Sequence, residues 1–278
     1  MGANTEIVYD AHCHIHETPE SYAALDQHKH IVYCVQGTNY ADWQAVVELK
    51  ARHGDQIIPA FGVHPWFAGG VESGEIPADW QARLRRLVTQ HGGIVGECGL
   101  DKAARSPATG EVYPLEPQLV VLRAQLDIAC ELGVGVSVHC VRAFGALGDA
   151  LREAERCGRL PPRIMLHSYS GSADMLAQVF FKGEVGRRMF VSFSRAVNGR
   201  SAKRAAQCMQ AAPESQILAE SDLHDAAATA GALDAITALI AEARGWSGDE
   251  ARERLAANAR RFFIAGSEEG TLNAHCSN

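Results

Sequence analysis

The chain lacks three features that would place it outside the cell or in a membrane. Its eight cysteines include no C-x-x-C pair, no apolar run approaches membrane-spanning length, and the first residues show neither a basic stretch nor an apolar leader. Thiols within apolar segments, such as Cys34 and Cys130, are typical of reduced, buried cysteines. We therefore expect a cytoplasmic protein, with a nuclear location as the alternative, and no membrane partner.

Two nucleotide-binding signatures are also missing. A glycine fingerprint does not follow the first strand-like segment, and no G-x-x-x-x-G-K-[ST] occurs. The net charge of -7 means that the protein as a whole does not attract nucleic acid electrostatically. With 278 residues, 47% of them hydrophobic and 21% charged, the chain can build a sizeable core.

Strand-like and helix-like segments alternate along the chain. The apolar runs predict strands at about 6–12, 30–36, 57–62, 93–98, 134–139, 163–168, 189–194 and 216–221. Patterns with helical spacing lie near 40–53, 79–91, 116–132, 142–157, 172–183, 200–212, 230–244 and 248–263.

Eight strands alternating with helices predict a parallel (β/α)8 TIM barrel, and an open doubly wound sheet is the alternative. We expect one barrel domain over residues 1–264 and a disordered polar tail over 265–278. A long loop at 102–115 follows the fourth strand, on the face where such barrels form their sites.

Metal-competent side chains stand at the carboxyl ends of five predicted strands. They are His12 and His14 on the first, Glu97 on the fourth, His139 on the fifth, His167 on the sixth and Asp222 on the eighth. Singly, each has an ordinary explanation as a hydrogen-bonded core histidine or a salt-bridged strand end. Together they predict a metal site, and four histidines with two carboxylates suit two ions that share a carboxylate.

Strand alternation gives each of these residues a direction. The period of two predicts inward positions for Asp10, His12 and His14, for Val95 and Glu97, and for Ser137 and His139. The neighbouring Cys13, Cys98 and Cys140 would then face the helix layer as small buried hydrophobes.

The motifs resemble those of TatD-type metal-dependent DNases, members of the amidohydrolase-like barrel group, over nearly the whole length. The matching stretches are Asp10-Ala-His-Cys-His14, Gly62-Val-His-Pro65, Gly96-Glu-Cys-Gly-Leu-Asp101, Val138-His139, His167-Ser-Tyr-Ser-Gly171, Glu220-Ser-Asp222 and Asn258-Ala-Arg-Arg-Phe-Phe263. The pattern is also similar to a fungal TatD-like branch linked to a cell-cycle ubiquitin-ligase subunit, which suggests a protein partner in that context.

The resemblance implies a division of the ligands between two divalent ions, whether zinc, magnesium or manganese. His12, His14, Glu97 and Asp222 would hold one ion, and Glu97 would bridge to a second held by His139 and His167. A water activated by the two ions would attack a phosphodiester of DNA, with Asp222 taking or steering its proton.

Other residues are candidates for positioning or substrate contact. Asp10 could orient an imidazole or simply hydrogen-bond in the barrel interior. His64 could contact substrate or stabilise the turn at Pro65. Arg142 comes third after His139, where bacterial relatives place an arginine second, and Ser170 precedes a helix start where an anion could bind, although Ser172 could be only the N-cap.

Segment 182–204 holds seven basic residues and one acidic residue, either as a phosphate-tracking surface or as a solvated face. The reaction itself has alternatives: the same barrel could hydrolyse an ester, amide or aminoacyl bond of a small molecule or tRNA, or serve as a non-catalytic protein-interaction scaffold. A complete ligand set argues against the scaffold.

Overall fold

A computed structural model describes residues 7–106 and 109–264. Eight parallel strands follow one another in the sheet in sequence order. They are β1 Val8–Cys13, β2 Ile31–Gly37, β3 Ile57–Phe61, β4 Ile94–Asp101, β5 Gly135–Val141, β6 Arg163–Leu166, β7 Met189–Ser194 and β8 Ile217–Glu220. The TIM-barrel prediction is confirmed, and the open doubly wound alternative is wrong.

The barrel closes where β8 returns to β1. The backbone N–H of Asp222 donates to the carbonyl of His12 at 3.0 Å, and the N–H of His14 donates to the carbonyl of Leu223 at 2.8 Å. This seam lies at the carboxyl end of both strands. Closure therefore brings His12, His14 and Asp222 together.

Helices surround the strands. They are α1 Ala23–Gln27, α2 Trp43–His53, α3 Gly69–Ser73, α4 Trp80–His91, α5 Leu115–Leu132, α6 Phe144–Arg156, α7 Ala173–Met175, α8 Gly183–Arg188, α9 Arg195–Asn198, α10 Ala202–Ala211, α11 Ala226–Arg244 and α12 Gly248–Phe263. By length and composition α11 could cross a membrane. Its Leu233, Ile236 and Ile240 are instead buried in the hydrophobic core, as in a core-facing helix.

Two helical segments differ from the sequence prediction. The segment expected as one helix over 172–183 is α7 followed by a π-helical turn, Leu176–Phe180, and a new helix, α8, begins at Gly183, whose φ is 59°. Helix α11 begins at Ala226 rather than 230, because the Asp225 side chain accepts a hydrogen bond from the N–H of Ala227 at 2.9 Å.

The strand interiors follow the predicted alternation except where β1 and β4 change register. Cys13, Cys98 and Cys140 pack in the cluster shared with the helices, as predicted, and Ser137 faces the ring of His12. Val95 also packs on the helix side, so the inward position predicted for Val95 is wrong. Its neighbour Ile94 lies in the barrel interior instead. The register shift between Val95 and Cys98 explains this reversal.

The bottom of the barrel is filled by apolar side chains and by α12. Residues from seven strands form one cluster with Ala259 and Phe262: Ala11, Cys34, Ala60, Ile94, Met165, Phe190 and Leu218. Phe262 packs edge-on to Phe190 with ring centroids 5.2 Å apart. This apolar floor leaves polar side chains to the opposite, carboxyl end.

The long segment after β4 is partly ordered by backbone pairing. The N–H of Ser106 donates to the carbonyl of Glu111 at 2.8 Å, and that of Tyr113 to Ala104 at 3.1 Å. Residues 107–108 of this loop lie outside the described residues, as does the predicted tail at 265–278. The described cysteines are free, with Cys34 buried and Cys130 half-buried on α5.

Candidate metal centre

Five of the six predicted ligands line one cleft at the carboxyl ends of the strands, and the sixth, the fully buried His12, contacts His14. His12, Glu97 and His139 belong to strands, whereas His14, His167 and Asp222 follow strand ends within two residues. The cleft encloses about 440 Å³, which is within the range of small-ligand sites. Its lining residues include His14, His64, Glu97, His139, His167 and Asp222.

Four donor atoms form a first group. The Nε2 atoms of His12 and His14 are 3.2 Å apart and lie 3.5 and 3.4 Å from Glu97 Oε2. Asp222 Oδ1 is 3.8 and 3.7 Å from the same two nitrogens. Ligands about 2.0–2.2 Å from one zinc ion in a tetrahedron lie roughly 3.3–3.6 Å from each other, so this spacing fits one ion.

A second group forms around the other oxygen of the same glutamate. Glu97 Oε1 lies 3.0 Å from His139 Nδ1 and 2.9 Å from His167 Nε2, and those two nitrogens are 3.1 Å apart. Glu97 therefore presents one oxygen to each group. The donor set fits two ions that share this carboxylate.

The partners on the outer side of each imidazole support the same assignment. His14 Nδ1 lies 3.2 Å from the carbonyl of Gln36, and His12 Nδ1 lies 3.0 Å from Ser137 Oγ. His139 Nε2 lies 3.3 Å from Asp101 Oδ2, and His167 Nδ1 lies 3.5 Å from Glu220 Oε1. The carbonyl of Gln36 and the carboxylate of Asp101 can only accept, so they place the proton on the outer nitrogens of His14 and His139 and leave the inner nitrogens free to bind a metal.

His64 has the opposite arrangement. Its Nε2 is 3.4 Å from Glu97 Oε1, close enough to join Glu97 and His139 as a ligand group. Its Nδ1, however, accepts a hydrogen bond from the backbone N–H of Trp66 at 3.3 Å, so the proton belongs on Nε2. His64 is thus placed to donate to Glu97 or to a substrate oxygen rather than to bind an ion.

Charge and burial act against each other in the cleft. Burial opposes ionisation of Glu97, but the imidazoles of His64, His167 and His12 hold its pKa well below the usual range. Burial lowers the pKa of His14 well below its ordinary value. The Glu97 and Glu220 carboxylates act the other way on His167 and, against its burial, hold its pKa well above the ordinary value. An anionic Glu97 beside a neutral His14 is ready to bind a divalent cation, whereas His167 must release its proton when an ion binds.

Two carboxylates, Asp101 and Glu220, lie beside imidazoles of the ligand groups. Both belong to the sequence motifs, but the sequence predicted no role for them. Asp101 accepts hydrogen bonds from the N–H groups of Ala103 and Ala104 and from the Trp66 indole. Glu220 is buried and accepts from Ser168 Oγ at 2.5 Å and from Ser192 Oγ. The signal that could have identified them is their position at strand ends beside the ligands.

Asp10 does not orient an imidazole. Its carboxylate accepts hydrogen bonds from the N–H of Ser221 at 2.8 Å, from Ser221 Oγ at 2.5 Å and from the N–H of His12 at 3.3 Å. The register shift in β1 between Asp10 and Cys13 turns the side chain to the seam with β8. Asp10 therefore fixes the backbone that carries His12 and Asp222.

Two proposed substrate contacts lie apart from the ligands. Arg142 is exposed and is not among the residues lining the metal cleft, and its φ of 54° marks a sharp turn after β5. Ser170 lines a different cavity, together with Asn198 and Arg204. Ser172 is an N-cap that accepts a hydrogen bond from the N–H of Met175, so the capping interpretation of this helix start holds.

A parallel barrel that gathers histidines and carboxylates around one buried glutamate defines a metal-dependent hydrolase. The family model described as TatD related DNase matches residues 9–264. The chain belongs to the TatD-related DNase family.

Relatives of this chain come from fungi and bacteria. It is 26% identical to the Cut9-interacting protein scn1 of Schizosaccharomyces pombe, with 93% of this chain and 99% of that protein covered. It is 27% identical to the uncharacterized deoxyribonuclease YMR262W of Saccharomyces cerevisiae, covering 77% and 82%. It is also 27% identical to the 3'-5' ssDNA/RNA exonuclease TatD of Erwinia tasmaniensis, covering 68% and 66%.

Solved structures share the fold. The TatD homolog YJJV from Escherichia coli superimposes with a TM-score of 0.73 at 22% identity, covering 92% of this chain and 97% of that one. A TatD family hydrolase from Entamoeba histolytica gives a TM-score of 0.73 at 12% identity, covering 93% and 98%. These likenesses agree with the barrel and add nothing about the substrate.

Proposed function

We propose that this protein is a two-metal phosphodiesterase that acts on single-stranded DNA or a related nucleic acid. The observation that supports it most is Glu97, whose two carboxylate oxygens face two separate groups of ligand atoms. Two-ion sites with a shared carboxylate are suited to phosphoryl transfer. The S. cerevisiae and E. tasmaniensis relatives are named as a deoxyribonuclease and an exonuclease, which favours the nucleic acid substrate.

The ligands divide as the two groups of atoms do. His12, His14 and Asp222 would hold one ion and His139 with His167 the other, with Glu97 between them. Bound ions would polarise a phosphoryl oxygen and lower the pKa of a water molecule toward neutrality. The buried outer partners of the imidazoles keep the donor atoms in place for this task.

Asp222 is the residue proposed to take the proton of the attacking water. Its Oδ1 lies with the first group, and its Oδ2 is 3.3 Å from Ser168 Oγ. Because the one hydroxyl proton of Ser168 lies closer to Glu220, at an oxygen–oxygen distance of 2.5 Å, Asp222 Oδ2 keeps its capacity to accept a proton. Its side chain is 19% exposed and reaches the cleft.

His64 is proposed as a donor to a substrate oxygen. Burial lowers its pKa, so the ring is neutral near pH 7 and presents one N–H. The nitrogen that carries this N–H lies 3.4 Å from Glu97 Oε1, and both residues line the cleft.

A protein partner is a separate proposal. The S. pombe relative is named as a Cut9-interacting protein, and the match covers 93% of this chain. A complete ligand set is compatible with such an interaction and argues for catalysis beside it.

The test compares wild type with Glu97→Gln. We expect two equivalents of divalent metal on the wild type and chelator-sensitive degradation of a single-stranded oligonucleotide. Because Glu97 touches both ligand groups, its loss should lower activity by more than about 100-fold and reduce the metal content. Glu153→Gln, an exposed glutamate paired with Arg123, is the matched control and should behave as wild type.

Two results would contradict the proposal. A purified protein with no bound metal and no chelator-sensitive hydrolysis would exclude catalysis by this site. Full metal occupancy with hydrolysis of small esters or aminoacyl bonds but not of DNA would assign the site to a different substrate class.

A further inference from the structure

Two exposed aromatic side chains stand at the rim of the metal cleft. The exposed large apolar side chains among residues 7–106 and 109–264 are Ile7, Trp66, Phe67, Val112, Val120 and Ile264. Trp66 and Phe67 are the aromatic members of that set, at 50% and 39% exposure. They are consecutive in sequence and both line the metal cleft.

The indole of Trp66 is fixed despite its exposure. Its Nε1–H donates to Asp101 Oδ2 at 2.9 Å, and the ring stands at 90° to that of His64, with centroids 4.9 Å apart. The same Asp101 oxygen lies 3.3 Å from His139 Nε2. An exposed aromatic ring held by a buried carboxylate loses little entropy when a planar ligand stacks on it.

The two rings separate the metal cleft from a second cleft. Trp66 and Phe67 line both, and the second encloses about 570 Å³ and is bordered by Tyr40 and Tyr113 as well. A chain whose phosphate reaches Glu97 must therefore pass one of these rings on this side. Aromatic faces next to a phosphodiester-binding site are the arrangement that single-stranded nucleic acids use for their bases.

We propose that Trp66, with Phe67 beside it, forms a base-stacking site for the nucleotide next to the scissile phosphate. The assignment rests on the proposed function and adds a binding residue to it. Trp66 would contact a nucleobase of single-stranded substrate by its flat face, without reading the base sequence. A duplex cannot use this site unless the base leaves its stack, so the site favours single strands and ends.

The test is a binding comparison with two non-hydrolysable oligomers of equal length. One is a phosphorothioate oligothymidylate, and the other has the same backbone with every base replaced by a tetrahydrofuran abasic unit. Dissociation constants are measured by fluorescence anisotropy for wild type, Trp66→Ala and Trp66→Phe. Val120→Ala, an exposed apolar residue on α5, is the control.

We expect wild type and Val120→Ala to prefer the base-bearing oligomer. One base–aromatic stack corresponds to roughly 5- to 150-fold in affinity. Trp66→Ala should bring the ratio close to one, whereas Trp66→Phe, which keeps an aromatic face but lacks the N–H donor to Asp101, should retain most of it. The ratio cancels any general damage to the ligands, because such damage weakens both oligomers alike.

The proposal is overturned if wild type does not bind the oligothymidylate or does not distinguish the oligomers. It is equally overturned if Trp66→Ala weakens both by the same factor, since Trp66 would then act only by positioning Asp101 and His139. Hydrolysis is measured separately. A preference for the base-bearing oligomer without metal-dependent hydrolysis would contradict the proposed function but support the stacking site. Metal-dependent hydrolysis without that preference would support the proposed function but contradict the stacking site.

Discussion

At the scale of single residues, the side of each imidazole that faces away from the cleft decides what the ring can do. His14 and His64 are both buried in the same cleft, but a carbonyl lies at the outer nitrogen of His14 and a backbone N–H at that of His64. The first arrangement suits a metal ligand and the second a hydrogen-bond donor. Strand ends in the sequence predicted which histidines meet, whereas these partners depend on packing and could not be predicted.

The buried carboxyl group of Asp10 leads to a prediction of how the stability of the protein depends on pH. Burial raises its pKa from 3.8 to about 7, and the hydrogen bonds from Ser221 only partly offset this. Between pH 4 and 7 the folded protein therefore keeps a proton that the unfolded chain has lost. Stability falls as pH rises through that window, by up to about 1.4 kcal/mol per pH unit for this group.

The measurement is urea unfolding of wild type and Asp10→Asn between pH 4.5 and 7.5, both in chelator. Asparagine can accept from the N–H of Ser221 and donate to its hydroxyl, but it does not titrate. We expect the free energy of unfolding of wild type, minus that of the variant, to decrease with pH. A difference that stays constant or rises would show that Asp10 is ionised when buried.

At the scale of elements, the alternation of the sequence predicts side-chain orientation correctly only where a strand keeps its register with its neighbours. On β5, Ser137 and His139 face the barrel interior and Val136 and Val138 the helices, as the period of two predicts. On β4 the register shift beside Val95 reverses that residue, and the sequence feature that could have marked the shift is Gly96, a glycine inside a strand with a φ of 152°. Prediction from alternation is therefore secure only over an unbroken ladder.

Helix α12 closes the barrel floor, and we expect a substitution there to lower stability without changing metal binding. Phe262 is fully buried against Phe190, and a Cβ added at Gly135 would lie 3.2 Å from its ring. Phe262→Ala should lower the free energy of unfolding by about 3–5 kcal/mol, because a cavity forms in a closed apolar floor. Ile264→Ala, at a site that is 50% exposed, should change it by less than about 0.5 kcal/mol.

Metal content gives the matching functional measurement for this helix. The ligands lie at the opposite end of the barrel from Phe262, so folded Phe262→Ala protein should bind as much metal as wild type. Loss of metal without loss of stability would show that α12 positions the site directly.

At the scale of the whole molecule, the basic residues of segment 182–204 lie at both ends of the barrel. Arg187 and Arg188 belong to α8, before β7 begins, and pair with Glu184. Arg195 follows the last residue of β7 and is exposed at the end where the ligands lie. Strand β7 spans about 20 Å, so the segment cannot be one phosphate-tracking surface.

The division predicts different salt effects for arginines of the same segment. For single strands, each phosphate neutralised by the protein contributes about 0.7 to the slope of log affinity against log salt. Arg195→Gln should lower the slope for a single-stranded oligonucleotide by about that amount, and Arg142→Gln, exposed after β5, should do the same. Arg187→Gln, at the far end and paired with Glu184, should leave the slope unchanged. Equal slopes for all three variants would mean that nucleic acid does not reach the strand ends around the metal cleft.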